Sequence, residues 1–394
     1  MTRRLTGGLL TALGFLSTVG PFAADMYLAS FTDIARDLGG PASSVQLTLT
    51  AFLLGIGTGQ LVLGPASDRF GRRPVLVAAL AVFAASSIAM VFSPTLAVFI
   101  ALRAVQGLSG AAGVVVSRAI AVDLSEGETA VRALSLMATV VGLGPLLAPP
   151  VGGAVAEVWG WRAVLAVLAA IATAMFLLAA LAVPESLPRT QRHSGGVGSM
   201  FARFGTLLAD RRYTGYLVAF ACAFGAMMSY ISASPFVGQR VLHMSPVEYS
   251  LGFAAGAAAL ISANLVNARV AGRVGPRRML VLGVVTTLVA GVALAVLAST
   301  GTLSIATFIV CAFTLTAGTG FTMSNASALA LARADAARGS GAALLGASQF
   351  FVGGLASPLV GLWGEHTAVP MAVIALVFAV AACTAAAAAG RSRR

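Results

Sequence analysis

The stretch FAADMYLAS at residues 22–30 places an aspartate, Asp25, near the end of an apolar run from Gly7 to Ser30. That run is long enough to cross a membrane and contains no cation. A charge in such a place costs roughly 2.5–3.5 kcal/mol on insertion scales, so something must offset it. A second misplaced charge, Arg103, lies about eight residues into a later apolar run that begins after Ser93-Pro94. Counting 1.5 Å per helical residue from the expected outer ends puts both groups roughly 8–12 Å below the outer surface. Opposite charges at one depth neutralise each other, and a carboxylate held in this way can still take up and release a proton. Two readings stay open: a titrating carboxylate that exchanges protons, and a permanent ion pair joining two helices.

The elements that must position these groups follow from composition. The chain is 58% hydrophobic and 10% charged, with a mean hydropathy of +0.94, whereas soluble domains run near 25% charged residues. Water-soluble folds are excluded, and a polytopic helical membrane protein is expected. The net charge of +12 comes from arginines clustered between apolar runs, which is a topology signal rather than a nucleic-acid footprint. All 25 basic residues are arginine, so there is no P-loop or Schiff-base lysine, and ATPase or lysine chemistry in this chain is excluded. Cys222, Cys311 and Cys383 stand alone within apolar runs, and His193, His243 and His366 fall in different loops. No metal site, cofactor or enzymatic centre is expected. The start MTRRLTGGLL resembles a signal peptide, but its apolar run is long for one and similar runs follow throughout, so an uncleaved first span is expected.

Runs long enough to cross about 30 Å of hydrocarbon fall near 7–30, 45–65, 75–92, 97–118, 133–156 and 162–183, then 214–236, 248–268, 279–298, 303–326, 341–363 and 369–389. With both termini cytoplasmic, the inner segments collect all the arginines except Arg36, Arg103, Arg162 and Arg240, as the positive-inside rule requires. The expected fold is an all-α membrane protein of twelve transmembrane helices in two six-helix pseudo-symmetric halves, 1–183 and 214–394, joined by a polar cytoplasmic linker at 184–213. Internal self-similarity supports the two halves. A constant shift of 204 positions places Gly71 and Arg73 on Gly275 and Arg277, Trp159-Gly160 on Trp363-Gly364, and Ala29-Ser30 on Ala233-Ser234. Parallel repeats of this kind surround a central site in alternating-access transporters.

Four motifs carry a family resemblance over nearly the whole chain. GPASDRFGRR (64–73) resembles the loop between the second and third helices of the major facilitator superfamily. ALRAVQGLSGAAG (101–113) and GLGPLLAPPVGG (142–153) resemble the fourth-helix and fifth-helix motifs of its drug:proton antiporters. ADMYLAS with GWR (160–162) is similar to the Bcr/CflA drug-resistance branch. The resemblance implies a bacterial inner-membrane exporter, with the first and fourth helices lining one side of a cavity and substrates such as chloramphenicol or bicyclomycin.

Each motif also has a physical reading. In GPASDRFGRR, Gly64 and Gly71 permit a tight turn, Asp68 can cap a neighbouring helix N-terminus, and Arg69, Arg72 and Arg73 can meet Asp123 at the inner end of the fourth helix. That cluster would latch the cytoplasmic face; the alternative is that the arginines merely set topology. The second copy carries Gly272 in place of Asp68, so its latch is expected to be weaker or absent. In the fifth helix, Pro145, Pro149 and Pro150 would kink the helix and free carbonyls, while Gly142, Gly144, Gly152 and Gly153 allow close approach. This reads as a gate, or else as a kinked packing helix. Phe22, Tyr27, Gln106, Tyr230 and Gln349 are the candidate substrate contacts, each equally readable as a packing residue. The function expected is proton-coupled drug export by a monomer that uses the proton gradient, small-molecule drugs and protons as its partners in the lipid bilayer, and no nucleic acid. The alternatives are a metabolite (amino acid or sugar) transporter and a non-transport sensor or lipid-handling protein.

Overall fold

The computed structural model describes residues 5–125, 127–188, 190, 192, 204–334, 338–361 and 366–391. Arg3, Arg4, Arg189, Arg203, Arg393, Arg394, His193 and the pair Trp363-Gly364 lie outside the described residues. Among those described, twelve helices are long and apolar enough to cross a membrane. They are Gly7–Asp37, Ser43–Phe70, Arg72–Val91, Leu96–Asp123, Arg132–Trp159 and Trp161–Ala182, followed by Arg211–Val241, Pro246–Val274, Pro276–Ser299, Ile305–Leu331, Gly339–Leu359 and Val369–Gly390. They are called the first to twelfth spans below.

The starts of several spans are written into the loops as caps. Thr95 accepts from the Val98 N–H at 3.3 Å. Ser245 and Glu248 exchange backbone and side-chain bonds in a capping box that opens the eighth span, and Asp210 accepts from Arg212 N–H at 2.8 Å to open the seventh. Such caps satisfy N–H groups that a helix cannot pair internally.

Two spans differ from their sequence boundaries in ways that matter. The second continues as helix through Pro65 to Phe70, so most of GPASDRF is helical. The turn to the third span is Gly71 alone, at φ 105°, a conformation nearly closed to other residues. The first span is not one continuous helix and does not end at Ser30. It consists of helices Gly7–Leu16 and Val19–Asp25, a 3-10 turn Leu28–Ser30 and a helix Phe31–Asp37. The prolines of the fifth span, by contrast, do not interrupt it, since Gly127–Trp159 is a single helix with Pro145, Pro149 and Pro150 inside.

The spans gather into two compact units, one of residues up to Ser30 with Ala51–Val197, the other of Phe31–Thr50 with the rest of the chain from Gly198. The segment Phe31–Thr50, which joins the first span to the second, therefore groups with the second unit. Within the first unit, the second and fourth spans cross with backbones in contact: a Cβ on Gly107 would overlap the carbonyl of Phe52. Small residues permit such approach where lipid gives no hydrophobic drive to associate. Within the second unit, Gln46 Nε2 donates to the Ser232 carbonyl at 3.2 Å, Thr32 Oγ1 to Gln239 Oε1 at 2.7 Å, and Phe31 meets Phe236 with ring centroids 6.0 Å apart. The eighth and tenth spans are tied by Asn325 Nδ2 donating to Asn267 Oδ1 at 2.6 Å.

Candidate functional site

Asp25 is the last residue of the short helix Val19–Asp25, and its side chain is 7% exposed. Two residues earlier, the carbonyl of Ala23 receives Arg103 Nη2 at 2.8 Å. Arg103 is fully buried. Its Nη1 donates to Gln106 Oε1, and Gln106 Nε2 passes the chain on to Ser87 Oγ at 2.8 Å. The guanidinium lies over the Tyr27 ring at 4.1 Å and the Phe52 ring at 4.6 Å. A planar, weakly hydrated cation is suited to such stacking, and each desolvated cation–π contact contributes about 2 kcal/mol.

The ion pair expected between Asp25 and Arg103 is absent from this structure. Arg103 reaches the carbonyl two residues before Asp25 rather than the carboxylate: Nη1 and Nη2 bond an amide and a carbonyl, two aromatic faces flank the guanidinium, and Nε has no hydrogen-bond partner, while among the described residues no hydrogen bond or ion pair to the Asp25 carboxylate is seen. The depth count behind that expectation also changes. With the first span running to Asp37, Asp25 lies twelve residues from its outer end, or about 18 Å if helical. The break beside Asp25, not visible in a residue count, lies close to the Ala23 carbonyl to which Arg103 donates.

The expected substrate contacts divide. Tyr27 and Gln106 are fully buried in the Arg103 cluster, while Phe22 is half-buried one turn before Tyr27. Tyr230 and Gln349 belong to the second unit. Tyr230 stacks on Phe253 at 6.2 Å and tilts against Phe308 at 5.8 Å, and Gln349 is half-buried. Phe52 and Ser87 were not singled out from sequence, since one aromatic and one hydroxyl in long apolar runs carry no signal of their own.

At the junction of the second and third spans, Arg72 is the centre of the cluster. Its Nη1 meets Asp68 Oδ1 at 2.5 Å, and its Nε meets Asp123 Oδ2 at 3.0 Å. Asp68 thus binds within its own turn rather than capping a neighbouring helix, because the second span continues past it. Arg73 donates to the Ala180 carbonyl at 2.8 Å, and Arg69 lies over the exposed ring of Phe70 at 5.2 Å. Gly64 packs close to Val115, where a Cβ would come to 3.4 Å. Glu185 accepts from the Arg72 backbone N–H at 2.9 Å, and Ser186 donates to Asp123 at 2.8 Å. These two linker residues were missed because they follow the sixth span, far from the motif in sequence. In the second copy, Arg277 donates to the Gly390 carbonyl at 3.0 Å and open space surrounds Gly272.

The family profile described as Major Facilitator Superfamily matches residues 13–358. The chain belongs to the major facilitator superfamily. It is 36% identical to an uncharacterized MFS-type transporter, YdgK, of Bacillus subtilis, over 93% of this chain and 92% of that protein. It is 30% identical to a bicyclomycin resistance protein homolog of Haemophilus influenzae, over 95% and 92%. The solved structure of a bacterial homolog to the human lysosomal transporter Spinster superposes with a TM-score of 0.78 at 15% identity, covering 98% of both chains, a likeness of fold. This major facilitator protein is a multi-pass membrane transporter and not an enzyme.

Proposed function

We propose that this transporter exports amphipathic drugs in exchange for protons, with Asp25 as the group that carries the coupled proton. The observation that carries the reading is the independence of Arg103 from Asp25. Both terminal nitrogens of the buried cation have neutral partners and only its Nε is left without a hydrogen bond, so the carboxylate two residues from Ala23 can gain a proton without breaking any bond the cation makes. When Asp25 is ionised it attracts the guanidinium, which in the present arrangement bonds the carbonyl two residues away. The two arrangements give Asp25 different proton affinities, which is what exchange between an inner and an outer state requires. Asp25 takes a proton from outside and releases it inside as drug leaves, and the proton gradient supplies the driving force without a cofactor.

Export rather than import is supported by the fifth-span motif Gly142, Gly144, Pro145, Pro149, Gly152 and Gly153, by resemblance, and by the relative named for bicyclomycin resistance. Phe22 in the first unit and, separately, Tyr230 and Gln349 in the second are candidate drug contacts. They are few and weakly polar, as loose binding of bicyclomycin- or chloramphenicol-like compounds calls for. The Arg72–Asp68–Asp123 cluster acts as the cytoplasmic latch. The protein works as a monomer in a bacterial inner membrane with both termini cytoplasmic, the orientation that the arginine distribution favours.

The test is Asp25→Asn in proteoliposomes carrying an imposed pH difference, after a resistance profile in a drug-sensitive bacterium has named a substrate. Binding of that substrate should survive while uphill export disappears. Uphill export by the variant would reduce Asp25 to a structural residue and move the coupling site to Asp123.

A further inference from the structure

The fifth span touches the first where the first is broken beside its carboxylate. Gly144, Ala148, Gly152 and Ala156 recur every fourth residue and so share one helix face; Ala148 is fully buried and Ala156 nearly so. At Gly152 the position of a Cβ is already taken by the carbonyl oxygen of Met26, with Met26 Cγ 3.2 Å away. At Gly144 a Cβ would come within 2.5 Å of Pro21 Cβ. The backbone of the fifth span therefore lies against both ends of the segment Pro21–Met26, and the carbonyl received at Gly152 belongs to the residue after Asp25.

The internal repeat provides a comparison within the same chain. At the shift of 204, Asp25 corresponds to Ser229, Gly152 to Ala356, and Pro149 and Pro150 to Gly353 and Gly354. The seventh span runs as unbroken helix from Arg211 to Phe236 through Ser229, whose hydroxyl donates to the Gly225 carbonyl at 2.8 Å. The half without the carboxylate has neither the break nor the glycine.

We propose that Gly152 is a positioning residue for Asp25: by seating the Met26 carbonyl it fixes the break in the first span, so that movement of the fifth span changes the surroundings of the carboxylate. The proposal rests on the reading of Asp25 as the proton-exchanging group. The fifth-span motif then acts on the proton site through direct backbone contact, with Pro149 and Pro150 as the weak points about which the helix bends. Among charged and titratable groups on the packed elements, Arg103 of the fourth span is the one bonded into the break, and Tyr27 of the first lies under it. The fourth span carries Arg118 and Asp123 toward its inner end. The fifth carries Arg132 and Glu157 near its two ends, and the sixth Arg162 at its outer start.

The experiment follows the protonated-carboxyl infrared band of the full-length protein in lipid vesicles through a pH titration, with Asp25→Asn identifying the band. Gly152→Ala should move the midpoint by about threefold or more in proton affinity, each tenfold being one pH unit. Gly8→Ala, where a methyl meets open space, should leave it in place. Should Gly152→Ala not fold, Gly144→Ala replaces it: the same shift is expected, and it should be reversed by Pro21→Gly, which removes the colliding Cβ. A midpoint within about threefold of the native one in the folded fifth-span variant overturns the proposal. If instead no band disappears in Asp25→Asn, the reading of Asp25 itself fails, and the two failures are told apart.

Discussion

The Arg103 cluster makes a quantitative prediction through Phe52. Phe52→Leu keeps most of the side-chain volume but removes one of the two rings facing the guanidinium, at 4.6 Å from Cζ. A desolvated cation–π contact of this kind contributes about 2 kcal/mol, and an imperfect volume match adds up to about 1.5 kcal/mol. Arg103→Met removes the charge and strands two buried acceptors, Gln106 Oε1 and the Ala23 carbonyl, at about 1–3 kcal/mol each. Part of that loss is offset because a buried cation no longer has to be desolvated. The two variants together form a cycle that cancels the packing change, leaving a coupling of about 1–2 kcal/mol between ring and charge. Reversible unfolding in mixed micelles titrated with a denaturing detergent reads it. A coupling under about 0.5 kcal/mol would mean that Arg103 is held by its hydrogen bonds alone. The same cycle run with Asp25→Asn against Arg103→Met should give little coupling, because the two are not paired. A large value there would establish the ion pair as the resting arrangement and refute the assignment of neutral partners.

In the Arg72 cluster, Asp123→Asn should slow the inward–outward exchange, read as cysteine accessibility on the two faces, more than Asp68→Asn does. Asp123 is 21% exposed and also accepts from Ser186, whereas Asp68 is 51% exposed and binds Arg72 alone; an exposed pair contributes about 0–1 kcal/mol. At the start of the seventh span, partial burial pushes the Asp210 carboxyl up, but the Arg212 N–H, the Arg333 guanidinium and the Tyr213 N–H outweigh it and hold it below its usual value. A carboxyl lowered in the folded state stabilises above its unfolded value and loses that contribution as pH falls through the folded one. Asp210→Ala should therefore cost about 1 kcal/mol at neutral pH, and acid titration of unfolding should show the difference shrinking below pH 3.8.

The twelve spans were legible because hydrocarbon imposes a length and a composition that no other environment does. Asp25 and Arg103 were legible as charges whose cost demands a function. Their relationship was not. A guanidinium can be satisfied by any set of acceptors and π faces, and nothing in ALRAVQ distinguishes Ala23, Gln106, Tyr27 and Phe52 from Asp25 as its partners. The break after Asp25 was invisible because DMY contains neither proline nor glycine and tertiary packing, not local propensity, ends that helix. The extension to Asp37 was hidden by the polar residues TDIARD, which look like loop but form helix paired internally through Arg36 and Asp33 at 2.8 Å. At Gly71 the reverse held, since a glycine before two arginines announced the turn, while the helicity of the residues before it overrode Pro65.

The position of Asp25 in the first span also bears on how the chain is made. Tyr27, Ala23 and Phe52 are synthesised before Arg103 and Gln106 follows within three residues, so the cation emerges into a site that is nearly complete. The carboxylate has no such advantage: it enters the insertion machinery in the first hydrophobic segment, with Arg103 still roughly 4–16 s from synthesis at ordinary elongation rates. During that interval the newborn segment must tolerate its acid alone, and protonation is the cheapest way to do so. On the proposed reading, the neutral form that insertion favours is the same form the carboxyl takes when it carries a coupled proton.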